Sequence, residues 1–374
     1  MGEAADRGSD VEFRLSKGCR GSGDFLQCER PPEVRSAITA DWKSALNADP
    51  TDWLLEPSNP SVRYFTLTEI LELPAGHPQV REARAALMAE GAVPKILAKQ
   101  SPGGYWGKPE DFYVRSKYRG TVWQLLVLAE LGATAEDERV RRTCEFILAR
   151  SQHAASGGFA YESAVHGGGD PDKILPCLTG NMVWALLRLG YSGDERVVRG
   201  VEWITRYQRF DDGIEQPPEG WPYDEHEKCW GTHTCHMGVV KALKALAEIP
   251  PERRPETVKN TITQAAEHLL KHYIFRRSHN PRPVAMQEWL LFGFPLMWNT
   301  DTLEILGILT RLGCHDPRMR EAVDVVIARQ NPQGRWRLQS TFNGRFVVNI
   351  ERAGHPSKWI TLHALRVIKG FCAG

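Results

Sequence analysis

Three histidines and two cysteines fall within eleven residues of the stretch Trp221-Pro-Tyr-Asp-Glu-His226-Glu-Lys-Cys229-Trp-Gly-Thr-His233-Thr-Cys235-His236. Imidazole and thiolate are the ligands that zinc and its neighbours prefer. His226, Cys229, His233 and His236 are spaced 3, 4 and 3, which on a helix lines them along one face. Gly231 weakens a continuous helix, and buried cysteines also serve as small hydrophobes. The stretch therefore reads either as a metal site or as a polar helix start. A second candidate is Asp301 in Trp298-Asn299-Thr300-Asp301-Thr302-Leu303-Glu304. A carboxylate there can cap backbone N–H groups; buried, or beside Glu304, it becomes an acid with a raised pKa. A third is Phe275-Arg276-Arg277-Ser278-His279, where arginines can grip a diphosphate or carboxylate or simply complement a helix dipole.

The rest of the composition narrows the partners. The 374 residues carry 47 basic and 46 acidic side chains, a formal charge of +1, so no whole-chain attraction to nucleic acid is expected. No run approaches the roughly 18 apolar residues that span a membrane. Met1 to Asp10 are polar and acidic, so no signal peptide is expected, and Cys372 is misplaced for a prenylation box. Eight cysteines without a secretory signal do not argue for disulfides, and the cytoplasm is the expected compartment. The oligomeric state, including a homo-oligomer, is left open.

These residues need helices to hold them. Residues 1–31 are rich in Gly, Ser and charge and read as a flexible tail, with one domain over 32–374. Amphipathic periodicity predicts helices over 118–131, 138–150, 181–189, 195–207, 234–247, 256–272, 302–312, 317–329 and 358–368, with almost no strand pattern. The chain also repeats. Gln100-Ser-Pro-Gly-Gly104-Tyr-Trp106 and Gln330-Asn-Pro-Gln-Gly334-Arg-Trp336 both fit Q-x-x-x-G-x-W, with looser relatives at Gln152 and Gln208. Leu131-Gly132, Leu189-Gly190 and Leu312-Gly313 each end a helix at the same phase. The unit is a helix pair of about 55–60 residues, with first helices expected near Val62, Gly120, Thr179, Gly231, Asn299 and Lys358.

Over roughly residues 60–370 this repeat resembles the QW repeat of squalene–hopene and oxidosqualene cyclases, and more loosely the β subunits of protein prenyltransferases. The resemblance implies an all-α (α/α)6 toroid of six helix pairs in a single barrel. First helices would line a central cavity, and the Gln and Trp of each turn would tie neighbouring outer helices. It also implies a site at the N-terminal ends of the inner helices. Class II cyclases carry D-x-D-D-T there, with the middle Asp as proton donor; aligned on Asp-Thr, this chain keeps only Asp301. Protein prenyltransferases bind zinc there through Asp-x-Cys and His, and His233, Cys235 and Asp301 offer the same ligand types in exchanged places. Asp211-Asp212-Gly-Ile-Glu215 resembles the magnesium motif of class I isoprenoid synthases but occupies a QW-like turn, and is read as a turn.

The expectation that follows is an enzyme holding a hydrophobic, isoprenoid-like substrate for acid-initiated cyclisation or isomerisation. Asp301 would be the acid, with Glu304 and His236 tuning it or relaying protons. Trp123, Trp184, Trp230 and Trp298 would line the cavity, although such rings also pack cores, and Arg277 and His279 would bind a polar head. One barrel leaves no room for C30 polycyclisation. Two alternatives stand: a zinc-dependent transferase or hydrolase using His233, Cys235 and Asp301, and a non-catalytic toroid binding a protein or peptide. The run Trp289-Leu-Leu-Phe-Gly-Phe-Pro-Leu-Met-Trp298 reads as a cavity wall, the other reading being a peripheral membrane patch.

Overall fold

The computed structural model describes residues 42–373; the tail expected at 1–31 lies outside them. Among the described residues there are helices, turns and isolated bridges but no strand. The fold is an α/α toroid. Its inner helices are α1 (Pro60–Phe65), α4 (Thr121–Glu130), α6 (Pro176–Leu189), α8 (His236–Ala247), α10 (Thr302–Arg311) and α12 (Lys358–Cys372). The outer layer is α2 (Pro78–Ala89) with α3 (Ala92–Leu97), then α5 (Glu138–Arg150), α7 (Glu195–Tyr207), α9 (Glu256–Lys271) and α11 (Arg320–Ile327). Successive inner helices pack against one another from α4 to α12, and α12 packs on α1. Phe65 of α1 lies against Gly132 at the end of α4, which closes the ring.

The inner helices are buried on nearly every side, as their almost uniformly apolar sequences require. The outer helices bury one stripe and leave charged residues outside. The sixth outer place is filled from the other direction. The segment holding the short helices Trp42–Ala45 and Thr51–Leu54 docks beside α11 and α12.

The repeated turn shows why Gln, Gly and an aromatic residue recur. Gln100 Nε2 donates to Arg139 O at 2.8 Å, and Gln152 Nε2 to Arg196 O at 2.6 Å. Gln330 Nε2 donates to Ala45 O at 2.8 Å, while its Oε1 accepts from Asn47 N at 2.6 Å. Each amide thus joins the end of one outer element to the start of the next. Trp106 and Trp336 bond back to Ile96 O and Val326 O. The backbone N–H of Trp106, Phe159 and Trp336 donates to Thr121, Thr179 and Thr361 on the following inner helix. Gln208 departs from the pattern, its side-chain amide donating to the neighbouring Arg209 O. Asp137, Asp194 and Asp316 form a second repeated device. Each caps the start of an outer helix and pairs with the arginine two residues on.

The glycine of the turn is demanded twice, by conformation and by space. Gly334 has φ +65°, and a Cβ there would lie 1.9 Å from Ala48 O. Gly344 has φ +80° but open space around it. Gly344→Ala is therefore expected to cost about 1 kcal/mol of backbone strain alone. Gly334→Ala should cost at least about 2 kcal/mol more, because the ring-closing segment must move. Urea unfolding midpoints of the two variants test this; equal losses would show that the close approach does not matter.

Candidate functional site

The apolar run 289–298 crosses the N-terminal end of the ring. Phe294 stacks on Trp359 of α12 at 4.3 Å between ring centroids. Asn181 of α6 donates to Met297 O at 3.2 Å, and Gly293 N donates to Asp301 Oδ2 at 2.8 Å. The run thus floors a cavity lined largely by the C-terminal halves of the inner helices.

That central cavity has a volume of about 510 Å³. Trp184, Phe294, Leu296, Leu303 and Ile308 make its apolar wall, with Gly307 facing the space. Most of the remaining lining is ionic. Glu304 receives Lys241 at 2.7 Å and Lys244 at 3.0 Å, and Lys244 also reaches Glu130 at 2.6 Å. Lys244 Nζ stands 3.8 Å from the Trp184 ring centroid, and Trp184 Nε1 donates to Glu248. Glu248 pairs with Arg311 and Arg188, Arg366 with Glu69, and Lys369 with Glu72. Burial alone would raise the Glu304 pKa, but the two ammonium groups outweigh it and hold the carboxyl at about 2. His363 borders the same space, and burial, with Arg366 and Lys244 nearby, keeps it well below the usual imidazole value.

Asp301 is the N-cap of α10. Its Oδ1 accepts from Glu304 N and its Oδ2 from Gly293 N, both at 2.8 Å. It is 1% exposed, and burial raises its pKa to about 7 despite those two bonds. It stands behind the cavity wall and clamps the floor segment to the helix. Of the four tryptophans expected in the lining, Trp184 alone is there. Trp123 stacks on Tyr113 at 4.7 Å and donates to its carbonyl. Trp230 packs between Trp203 and Tyr223 in the core, and Trp298 lies under Lys117.

His236 is not beside Asp301 and Glu304. It opens α8 and belongs to a second pocket of about 370 Å³ with Asp212, His233, His268, His272, Arg277 and His279. The ligand set His233, Cys235 and Asp301 is not brought together. His233 pairs with Asp212, Cys235 N donates a hydrogen bond to Cys229 O with both thiols free of a disulfide, and Asp301 caps α10. The ring nitrogens of His236, His268 and His272 instead lie within 4.8 Å of one another. Burial lowers the pKa of His268 to about 4 and holds that of His236 well below the usual imidazole value. Arg277 and His279, expected to meet a substrate head, line this pocket and not the central one. In Asp211-Asp212-Gly-Ile-Glu215, Asp211 caps the turn through Glu215 N, whereas Asp212 faces the histidines. The i, i+4 spacing of His268 and His272 was readable in the sequence; their meeting with His236 required the fold.

Two outcomes follow. Glu304→Leu leaves Lys241, 1% exposed, without its carboxylate, and should cost about 3 kcal/mol or more. The double variant Lys241→Met/Glu304→Leu should recover much of that loss in urea unfolding, and strict additivity would refute the coupling. The pH profile has two opposed arms. Glu304, depressed from its ordinary 4.5 to about 2, stabilises the fold above 4.5 and loses that contribution as pH falls toward 2. Asp301, raised from 3.8 to about 7, contributes stability below 3.8 that is lost as pH climbs to 7. Asp301→Asn should therefore flatten the decline of stability between about pH 4 and 7, measured by urea midpoints at each pH.

No protein-family model and no curated protein matches the chain. Among solved structures it is similar to the type II terpene cyclase MstE from Scytonema. An arginine-to-alanine variant of that enzyme, in complex with its substrate geranylgeranyl dihydroxybenzoate, is 18% identical, with a TM-score of 0.40 over 85% of this chain and 88% of that one. A tyrosine-to-phenylalanine variant in its apo form is 17% identical, with a TM-score of 0.37 over 85% of this chain and 87% of that one.

Proposed function

We propose that the chain is an enzyme that takes a partly apolar, isoprenoid-like molecule into its central cavity and isomerises or cyclises it by protonation. The observation that carries this reading is the cavity itself. About 510 Å³ lies within the ring, lined by aromatic and aliphatic side chains together with paired charges. Such a space suits a small molecule with an apolar body and a polar head.

The charge states sort the acids. Glu304 is locked as a carboxylate by Lys241 and Lys244 and serves as an electrostatic anchor. Asp301 is the carboxyl that burial raises to about 7, so about half of it holds its proton at neutral pH, and it is the acid of this proposal. Its donation requires the Gly293 N–H bond to open, which links proton delivery to displacement of the cavity floor. His363, neutral and facing the cavity, is placed to take the proton released when the cation collapses. Net proton count is conserved: one enters the substrate from Asp301 and one leaves to His363.

The test is incubation with prenyl diphosphates and polyprenyl aromatics in D2O, followed by mass spectrometry for isomeric products carrying one solvent deuteron. A Cβ on Gly307 would meet only Val367, at 3.9 Å, so a larger side chain there enters the cavity without disturbing the helix. Gly307→Phe should abolish turnover and ligand retention while Gly307→Ala keeps both, with no loss of melting temperature in either. Asp301→Asn should lower kcat by roughly 100-fold or more. Full turnover in Gly307→Phe would displace the reaction from this cavity. A panel that is neither bound nor converted would refute the isoprenoid assignment.

A further inference from the structure

The second pocket lies between an inner and an outer helix, away from the central cavity. His236 is the first residue of α8, and His268 and His272 stand one turn apart at the end of α9. Since α8 and α9 pack on each other, the start of one meets the end of the other, and their imidazoles converge from two elements.

We propose that His236, His268 and His272 bind one divalent transition-metal ion of the zinc class, with a coordination position open to the pocket and Asp212 beside it. Three observations carry this. The three ligand nitrogens lie within 4.8 Å of one another. Zinc–nitrogen bonds of about 2.0–2.1 Å place tetrahedral ligands roughly 3.3 Å apart, so small side-chain rotations close the set.

The tautomers are already those of metal ligands. His268 Nδ1 lies 3.3 Å from Phe210 O, and His272 Nδ1 lies 3.0 Å from Arg276 O. A carbonyl only accepts, so Nδ1 carries the hydrogen in both rings, and in the neutral form that binds a metal Nε2 presents a lone pair. Backbone carbonyls holding the far nitrogen are the usual outer support of a metal-bound histidine. His272 Nε2 then faces Asp212 Oδ1 at 3.6 Å. With the ring in that form, two acceptors are turned toward each other, an arrangement that a cation between or beside them satisfies.

The third observation is His236. Both of its ring nitrogens are buried and have no hydrogen-bond partner among the described residues. Its ring is fixed by stacking on Trp289, at 4.2 Å and 19°. A buried polar group without a partner is costly, and a metal bond removes that cost. Three histidines leave a zinc ion one free position, as in catalytic sites. Asp212 is placed to accept a hydrogen bond from water bound there. His233 and His279 flank Asp212 at 3.7 and 3.8 Å, with side chains 66% and 63% exposed, and mark the mouth. The pocket does not depend on the isoprenoid reading of the central cavity.

The experiment uses the untagged full-length protein loaded with zinc chloride, dialysed, and analysed for metal by mass spectrometry. About one zinc per chain is expected. X-ray absorption on the wild type should show a first shell of nitrogen and oxygen with imidazole scattering and no sulfur. His268→Gln and His272→Gln should each weaken zinc binding at least 100-fold in competition titrations, while Cys229→Ser and Cys235→Ser retain it. Asp212→Asn should keep the stoichiometry, weaken affinity about 10–100-fold, and change the visible spectrum of the cobalt(II) form. No stoichiometric metal in the loaded wild type, a sulfur-containing shell, or full retention in the His268→Gln/His272→Gln double variant would overturn the site. The absorption measurement needs no variant, so a misfolded mutant does not blunt the test.

Discussion

A closed ring of helices has to neutralise whatever charge it encloses, because the enclosed groups exchange little with bulk water. In this protein that constraint falls on Glu304. It sits where α8 and α10 face each other and compensates two lysines of α8, one of them almost wholly buried. Lys244 passes the arrangement on to Glu130 of α4 and to the face of Trp184 of α6. Trp184 in turn holds Glu248, which receives Arg311. The consecutive inner helices α4, α6, α8 and α10 are thus joined by alternating charges. The character of the cavity, half ionic and half apolar, is a product of the same chain of pairs.

The other half is made by the segment 289–298, and Asp301 holds it down. A carboxylate at a helix start is ordinary capping, but here its second oxygen reaches across to Gly293. One residue therefore fixes both the first turn of α10 and the floor of the cavity. The cost is a carboxylate so buried that it holds its proton to about pH 7. Capping and acidity, which are alternatives when the sequence is read alone, are two consequences of one placement.

The helical layers were legible because the repeat is carried by local chemistry. Helix ends at Gly132, Gly190 and Gly313, and the Gln–Gly–aromatic turns, are all short-range signals, and first helices begin close to the expected positions. The D-x-R caps at Asp137, Asp194 and Asp316 carry the same period and add a third marker. The sites were less legible. The density of histidine and cysteine between His226 and His236 drew attention, yet of these residues His236 alone joins the three-histidine cluster, while His233 reaches the same pocket only at its mouth beside Asp212. Its partners come from α9, whose neighbour in space is known only once the pair has packed. Trp123 and Trp230 lie on or near inner helices as expected but point between layers, a direction that residue type does not encode. Lys241, Lys244 and Glu248 were not singled out in the sequence, and it is ring closure that turns their helix face inward.

The ring is sealed by a segment from one side and a helix from the other. Gln330 holds Ala45 and Asn47, Lys358 reaches Glu56 at 2.8 Å, and Lys369 donates to Glu69 O and Ile70 O at 3.0 Å. These contacts span roughly 300 positions of chain, among the most distant pairings that the molecule makes. During synthesis, helix pairs can form in succession as they emerge, but the enclosure cannot exist until α12 has left the ribosome and found α1. Contacts of such separation form late and slowly. Nascent chains consequently pass through a stage with stacked repeats and an open seam, in which the charges of α8 and α10 still face water. The enclosed space therefore arrives in a single final step, not by degrees.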